Sequence, residues 1–491
     1  MRLDQVIPGA RPRADADANP GGEADEVEVT SLAYDARQAT PGSLFFCVPG
    51  FTRDGHDFAP QAVANGASAL VVERELPNLA DVPQIKVGSV RAAMAPAAAA
   101  FYGDPTATLE TIGITGTNGK TTTAFLVRAL LEADERPTGL LGTVKSIVGG
   151  TEHQVQRTTP EAIDLQRTFR QMLDAGDRAA VIEVSSHALK LHRADAIHFA
   201  AAVFTNLTQD HLDFHPTMED YFSAKRRLFT ELAPRRPVIN LDDAYGERLA
   251  DEVSDPITFA LGHRDATYRA TDVETGLAGS RFTVQTPDGP IDLTSPLRGT
   301  FNILNVLAAF ATARALGVPA QTAAGAIKTA GQVPGRFETI DEGQPFAVIV
   351  DYAHTPDSLD NVLRTAGELA PGRLHVVFGA GGDRDRTKRP LMGEIARRLA
   401  DRVIVTSDNP RSEDPEAIIE EILAGSGRDV EHDPDRRAAI ESAIAEAQAG
   451  DVVVIAGKGH EQGQEFENGR KLPFDDVAVA REALRSAELA R

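Results

Sequence analysis

The residues best suited to chemistry begin at Gly116. In the stretch TIGITGTNGKTTT (111–123) an apolar run ends in Gly116, Thr117, Asn118 and Gly119, and Lys120, Thr121 and Thr122 open a helical pattern. Glycines and small polar residues let backbone N–H groups wrap a polyphosphate; the lysine adds a point charge for β/γ-phosphates, and the Thr121 hydroxyl suits Mg²⁺. The strict G-x-x-x-x-G-K-[ST] pattern is not met, since Ile114 stands where its first glycine belongs, and a plain strand-to-helix turn is the alternative. Two further apolar runs lead into polar clusters, Glu183-Val-Ser-Ser-His187 and Thr205-Asn-Leu-Thr-Gln-Asp-His211. Each alone is ordinary helix-capping chemistry. Three strand ends carrying Lys120, Glu183 and His211 suggest one crevice, because ligands of doubly wound sheets collect at the carboxyl ends of strands.

The last third of the chain repeats the arrangement. The run 347–350 enters Asp351-Tyr-Ala-His354, 374–378 enters Gly379-Ala-Gly-Gly followed by the charged run Asp383–Arg389, 403–405 enters Ser407-Asp408-Asn409-Pro410-Arg411, and 452–455 enters Ala456-Gly457-Lys458-Gly459-His460-Glu461. Arg384 takes the place of a third glycine, so the glycine group is no dinucleotide fingerprint, and a run such as 383–389 is ordinarily a solvated loop.

The elements that must position these groups read as α/β throughout. Residues 27–32 alternate like a strand, 43–48 and 67–72 are short apolar runs, and 57–66 reads as a helix ending at glycine. Residues 11–26, rich in Pro, Gly, Ala and Asp, suit a loop; 257–293 suggest hairpins; 299–315 reads as a helix carrying Asn302 and Asn305; and 331–337 suits a hinge. A length of 491 residues exceeds what one core serves, and three domains are expected: 1–105, 106–333 and 334–491. An excess of acid, 72 Asp+Glu against 50 Lys+Arg, argues against nucleic acid or an anionic membrane as the main partner. One cysteine, Cys47, lies in an apolar run and is expected to be a buried thiol in a reducing compartment. The absence of a signal-type or bilayer-length apolar run leads to an expected cytoplasmic protein without membrane insertion.

Taken together, GTNGKTT (116–122), EVSSH, TNLTQDHLDFH (205–215) with Tyr221-Phe-Ser-Ala-Lys225, GxFNxxN (299–305), PGRFE, DYAHTP, GGDRDRTKRP, DNPR and AGKGHE resemble the Mur ligases across the whole chain and in family order. That family's loop has the TGTNGKT form, which accounts for Ile114. The resemblance implies a small N-terminal α/β domain that binds a UDP-sugar, a central P-loop doubly wound ATPase domain and a C-terminal Rossmann-like domain that binds an amino acid. It also implies ATP-dependent amide formation in peptidoglycan precursor synthesis. The γ-phosphate passes to the D-glutamate carboxylate of UDP-N-acetylmuramoyl-L-alanyl-D-glutamate, and an amine, meso-2,6-diaminopimelate, attacks the acyl phosphate; positioning and charge neutralisation carry such a reaction.

Residue by residue, the resemblance implies Gly116–Thr122 around ATP with Lys120 on the phosphates and Thr121 on one Mg²⁺, and a second Mg²⁺ held by Glu183 and His211 with support from Lys225. Lys225, which alone would pass for a solvated helix lysine, is implied to carry CO₂ as a carbamate. Asn302 is placed near adenine, Arg336 and Asp351 near ribose and phosphates, and His354 in the crevice. Thr158, Thr159, Ser185 and Arg193 are placed on the UDP-sugar dipeptide, where Ala36, Arg157 and Leu191 depart from the residues usual in the family. Asp408, Asn409, Pro410 and Arg411 would choose the amine: Arg411 with Arg389 reads the extra carboxylate of diaminopimelate, and Gly457 with Glu461 takes its distal ammonium. A monomer is expected. The rivals are the same reaction with L-lysine, a folylpolyglutamate-type ligase, and a nucleotide-binding regulatory protein, against which stand Glu183, His211 and Lys225.

Overall fold

The computed structural model describes residues 1–8, 27–155, 157–276 and 278–489, and the expected loop at 11–26 lies outside them. The described residues fall into two compact units, one of 1–113, 136–202 and 227–235, the other of 114–135, 203–226 and 236–491.

The first unit contains a parallel four-stranded sheet in spatial order Ser31–Ala33, Ser43–Phe46, Ala67–Val72, Gln84–Lys86. The continuous apolar runs follow from burial on both faces. Leu44, Phe46, Ala69 and Val71 point into one core under the Val90–Phe101 helix, and Phe45, Cys47, Leu70 and Val72 into another against Ala59 and Ala62. Cys47 is buried there, and burial pushes its thiol up to about 12, so it is an inert core group. The expected strand at 27–32 is shorter: only Ser31–Ala33 finds a ladder partner, although Val29 is fully buried. The expected helix at 57–66 is a 3₁₀ turn, Gly55–Phe58, running into the helix Ala59–Ala64. The same unit holds Thr138–Leu141 parallel to Ala179–Glu183, extended by the antiparallel pair Ser146–Val148 and Thr151–His153.

Strands Glu110–Thr115 and Phe199–Phe204 lie side by side, with their last two residues in the second unit. There Pro237–Asn240, Ile257–Ala260 and Tyr268–Gly276 pair in parallel, and Tyr268–Gly276, Gly279–Gln285 and Ile291–Ser295 form the expected hairpins. A six-stranded sheet follows, in order Glu338–Ile340, Ala347–Asp351, Val452–Ala456, Leu374–Phe378, Arg402–Thr406, Glu431–Asp433, parallel except for its first strand. Alternation again assigns its faces: Val376, Phe378, Val403, Val405, Val452 and Val454 pack with Leu359, Met392 and Ile419, while Val348, Val350, Val377, Ile404, Val453 and Ile455 pack with Ile440, Ile444 and Val479. Parallel pairing brings the carboxyl ends of four successive strands to one edge, so residues 352–354, 379–389, 407–411 and 457–461 gather there. Among the described residues no helix is long and apolar enough to cross a membrane.

Candidate active site

The phosphate loop leaves its strand at Thr115, and the next helix, Lys120–Ala133, starts at Gly119. Gly119 has φ +83°, a left-handed conformation, and a Cβ there would stand 2.3 Å from Asn305 Oδ1. Only glycine fits without displacement. The loop is stapled to the segment after Phe204. Thr117 N donates to Asn206 O (2.9 Å), Asn118 N to Asn206 Oδ1 (2.9 Å), and Thr205 Oγ1 to Asn118 O (2.6 Å). Thr117 Oγ1 accepts from Thr208 N (3.0 Å), and Thr122 is buried in the first helical turn. Asn305, on the helix Thr300–Ala315, backs the loop, and its Nδ2 donates to Asn302 Oδ1 (3.0 Å) while Asn302 Nδ2 donates to Arg298 O (2.8 Å). In this structure Asn302 therefore supports the loop through Asn305.

Lys120 Nζ donates to Gly116 O (3.0 Å) and Thr117 O (2.8 Å). Lys225 Nζ donates to Gly116 O (2.8 Å) and sits 4.6 Å from the centre of the Tyr221 ring. Lys225 is 1% exposed, not the solvated helix lysine its neighbourhood in sequence resembles. Burial, and the charge of Lys120 beside it, push its amine well below the usual lysine range against the opposing pull of Asp210. Asp210, outside the expected site set, is a buried hub. His211 Nε2 stands 3.5 Å and His354 Nε2 3.7 Å from Asp210 Oδ2, and Lys388 Nζ 3.9 Å from its Oδ1. Burial would raise this carboxyl, but the nearby His354, His211 and Lys388 hold it well below the usual range. His211 has φ +56°, an uncommon conformation for a non-glycine residue and a mark of functional sites.

The six-stranded sheet adds to the same unit. Arg336 Nη2 donates to Thr121 Oγ1 (3.2 Å), with its guanidinium 4.3 Å from the Tyr352 ring centre. Asp351 accepts from Phe337 N (2.6 Å) and Ala353 N (2.7 Å), and full burial raises its pKa despite those bonds and Arg336. Asn118 Nδ2 donates to Asp357 Oδ2 (2.7 Å), and His354 Nδ1 bonds Tyr352 O (2.8 Å). Two of the expected amine-binding residues are placed differently from one another. Arg411, at φ +52°, uses Nε on Glu465 (3.0 Å) and Nη1 on Gly382 O (2.8 Å), which leaves Nη2 without a hydrogen bond among the described residues. Arg389 is fully buried, and its fork is committed to Glu413 (2.8 and 2.9 Å), Glu421 (2.8 Å) and Gly381 O (3.1 Å). It does not present a free fork here; it braces the 381–413 loops. The charged run is correspondingly mixed, with Asp385, Lys388 and Arg389 buried and its other charges exposed. Pro410 O lies against Gly382.

Asp408 is buried against Gly457, where φ is +117° and a Cβ would stand 2.5 Å from Asp408 Oδ2. Burial alone would raise Asp408, but Lys458, Arg436, His354 and Arg411 hold it below the ordinary aspartate value. Asn409 and Glu461 are joined by a 2.8 Å hydrogen bond. Lys458, Arg436 and Asp476 were not singled out from sequence. Arg436 and Asp476 form a wholly buried pair (2.7 Å), with Arg436 Nη2 also on Ala456 O. Nothing in the Arg436–Asp476 spacing announces a pair: each is the first residue of a helix that carries several other charged residues, and no local signal sets the two apart.

The remaining expected residues belong to the first unit. Glu183, at the end of its strand, accepts from Thr143 N (2.8 Å) and Thr143 Oγ1 (2.9 Å), and Thr158 Oγ1 is 3.1 Å from Thr143 Oγ1. Thr159 Oγ1 donates to Glu183 O (2.8 Å) and accepts from Ser185 N (3.1 Å); Ser185 Oγ caps the following helix. Arg193 Nη1 reaches Thr159 O (3.2 Å) and its Nη2 pairs with the buried Glu161 (2.9 Å), which also faces Arg157 (3.0 Å) and Arg91 (3.5 Å). Burial and the charges of Arg157 and Arg91, opposed by Glu161, lower the pKa of Arg193. Three guanidinium groups on one carboxylate leave excess positive charge, suited to an anionic substrate group.

A glycine-turned phosphate loop at a strand end, continued by a parallel sheet whose strand ends carry charge, defines a nucleotide-using α/β enzyme. The chain matches the models of the Mur ligase family catalytic domain over 28–102, the Mur ligase middle domain over 114–313 and the Mur ligase glutamate ligase domain over 335–459, and it belongs to the Mur ligase family. It is 48% identical over 468 residues to a UDP-N-acetylmuramoyl-L-alanyl-D-glutamate–2,6-diaminopimelate ligase of Geobacillus kaustophilus, covering 93% of this chain and 95% of the relative. The protein of that name in Streptomyces coelicolor is 47% identical over 484 residues, covering 96% and 95%. A solved structure of a ligase of that name superposes with a TM-score of 0.70 at 34% identity, over 99% of both chains. Members of this family are ATP-dependent ligases, which implies ATP and Mg²⁺. The Thr121 hydroxyl, at the start of the helix after the phosphate loop, is an oxygen donor of the kind Mg²⁺ takes. Among the described residues no three His, Cys, Asp or Glu side chains form a ready-made cluster, and Mg²⁺ characteristically takes few protein ligands together with phosphate oxygens and water.

Proposed function

We propose that this chain adds meso-2,6-diaminopimelate to UDP-N-acetylmuramoyl-L-alanyl-D-glutamate, with ATP consumed through an acyl phosphate. The observation that carries the reading is the continuity of one compact unit. The phosphate loop and the amine-reading strand ends belong to it together, tied by Arg336 to Thr121 and Asn118 to Asp357. The loop amides and Lys120 hold the phosphates, supported by Asn302 through Asn305, and Arg336 and Asp351 line the nucleotide. Mg²⁺, when bound, offsets charge on the transferring phosphoryl group. Thr121 is the proposed ligand of one Mg²⁺, and His211, with Lys225 as its carbamate, of a second; the metal role of Glu183 rests on the family resemblance. Burial and the charge of Lys120 lower the pKa of this amine and so favour its neutral form, which is the form that adds to CO₂: its nitrogen lone pair bonds the carbon, one proton leaves, and a carbamate anion results. That chemistry supports the carbamate on Lys225.

Thr158, Thr159, Ser185 and Arg193 are assigned to the UDP-sugar dipeptide. Arg411, with Nη2 to offer, reads the second carboxylate of the amine, and Arg389 holds that loop in place. Asp408, Asn409, Pro410, Gly457 and Glu461 form the ammonium end, and His354 borders it. The proposed domains are 1–105, 106–333 and 334–491, within which the three family-model matches fall. A cytoplasmic monomer is the accompanying reading; the single buried cysteine suits a reducing compartment.

The test is phosphate release by purified protein with ATP, Mg²⁺ and the UDP-dipeptide, run in parallel with meso-diaminopimelate, L-lysine and L-glutamate. Release with diaminopimelate alone is expected. Release with lysine would keep the reaction and overturn the role of Arg411; silence with every amine would return weight to a regulatory or folate-type protein.

A further inference from the structure

Lys458 is 0% exposed and lies two residues past the strand Val452–Ala456, in the turn that leads to Glu461. A lysine ammonium so deeply buried needs acceptors, and it has two: Asn409 Oδ1 at 2.8 Å and Glu461 Oε2 at 3.1 Å. Asn409 Oδ1 also accepts from Glu465 N at 2.9 Å. Two donors on Oδ1 settle the orientation of the amide, so Asn409 Nδ2 must be the group 2.8 Å from Glu461 Oε2. Oε2 therefore receives both Lys458 and Asn409, while Oε1 carries no hydrogen bond among the described residues.

We infer that Lys458 and Asn409 are positioning residues of the amine site: together they occupy one oxygen of Glu461 and lock its rotamer, leaving the other to receive the ammonium of the incoming amino acid. The inference rests on the assignment of Glu461 to that ammonium, and it moves Asn409 from substrate contact to support. A carboxylate held in one rotamer loses little freedom on binding, whereas a free one would have to be ordered by the ligand. Lys458 also offsets the charge that Asp408 and Glu461 would otherwise concentrate beside each other, so that the pocket recognises a cation without collecting one nonspecifically.

The experiment is steady-state kinetics of the full chain with Lys458→Met, Asn409→Asp and Glu461→Gln, singly, and with Lys458→Met placed on Glu461→Gln, alongside direct ATP binding by each variant. Asn409→Asp keeps the acceptor for Lys458 and sets an oxygen against Glu461, so it decides the matter if Lys458→Met does not fold. Loss of a hydrogen bond to a charged group predicts a KM for the amine raised roughly ten- to hundredfold in each single variant, with ATP binding unchanged. On Glu461→Gln, Lys458→Met is expected to add little, because its effect runs through the carboxylate. If Glu461→Gln raises the amine KM while Lys458→Met and Asn409→Asp do not, the positioning role is overturned and the amine site stands. An equal loss toward ATP and amine would make Lys458 a purely structural group and also overturn it. An unchanged amine KM in Glu461→Gln would remove the site assignment itself, and the inference with it.

Discussion

Lys225, beside the phosphate loop, and Lys458, beside the Asp408–Arg411 strand end, are equally buried, at 1% and 0% exposure, and their surroundings are opposite. Lys458 meets a carboxylate and an amide oxygen. Lys225 meets a backbone carbonyl and a tyrosine face, with Lys120 the charge that acts on it most strongly and no carboxylate within ion-pairing distance among the described residues. A buried cation that is paired becomes framework; one left without an anion is driven toward its neutral, reactive form. The two regions differ in the same sense as a whole. The phosphate loop is shaped by backbone geometry and small side chains, and the amine end by a lattice of ionised groups.

The sharpest break of that contrast is Lys225→Met. It is expected to lower turnover roughly 10²–10³-fold, the size seen when one electrostatic stabiliser of a transition state is removed. It is also expected to raise the melting temperature of the free protein near neutral pH. The sign follows from linkage: with the folded pKa below the unfolded 10.5, the unfolded state binds more protons between the two, so the cost of burying Lys225 is full below the folded value and vanishes as pH rises toward 10.5. Melting curves of both proteins against pH should converge at the alkaline end. A carbon-13 carbamate signal from labelled bicarbonate, lost on acidification and absent in the variant, reads the modification directly; active enzyme with a free amine would sink it.

Gly119→Ala probes the backbone side of the comparison. A left-handed alanine costs about 1–2 kcal/mol, and its Cβ would press on Asn305 Oδ1 at 2.3 Å. ATP affinity and thermal stability should fall together while the amine KM holds; an unchanged ATP affinity would show that the loop tolerates reshaping. The smallest effect is expected on the ionic side, from Arg389→Leu. Arg389, with the Asp383 amide and Arg386 adding to it against burial, lowers Glu413 from 4.5 to about 2, so the stabilisation is present above pH 4.5 and lost as pH falls toward 2. Glu413 faces solvent in part, which keeps the contribution modest. The variant should show a flatter acid limb of stability over that window, and an acid limb identical to that of the parent would show the pair to be neutral in energy.

Much of this was legible beforehand. The runs 67–72 and 374–378 and the helix start at Lys120 stand where periodicity and the turn residues put them, because strands buried on both faces read as unbroken apolar runs. The strand read over 27–32 came out shorter for a physical reason: alternation reports burial, which Val29 satisfies, but a ladder needs a run of paired residues, and residues 27–29 make only a single antiparallel bridge, Glu28 to Arg2, while Ser31–Ala33 joins the parallel sheet. The short pair Ser146–Val148 and Thr151–His153 has too few buried residues to leave a pattern. Arg389 and Arg411 look alike as arginines in charged loops, yet one fork is consumed by Glu413 and Glu421 and the other keeps an arm to offer.

The sequence by itself determined the α/β class, the loop at Gly116–Thr122, the order of polar strand ends and the family resemblance, since each depends on residues close together in the chain. Tertiary structure alone decided that Lys225 is buried, that Asp210 faces two histidines and a lysine, and that Lys458 rather than substrate takes one oxygen of Glu461. Those are properties of charge and desolvation. They depend on which distant groups share a low-dielectric space, and no local pattern of residues records that.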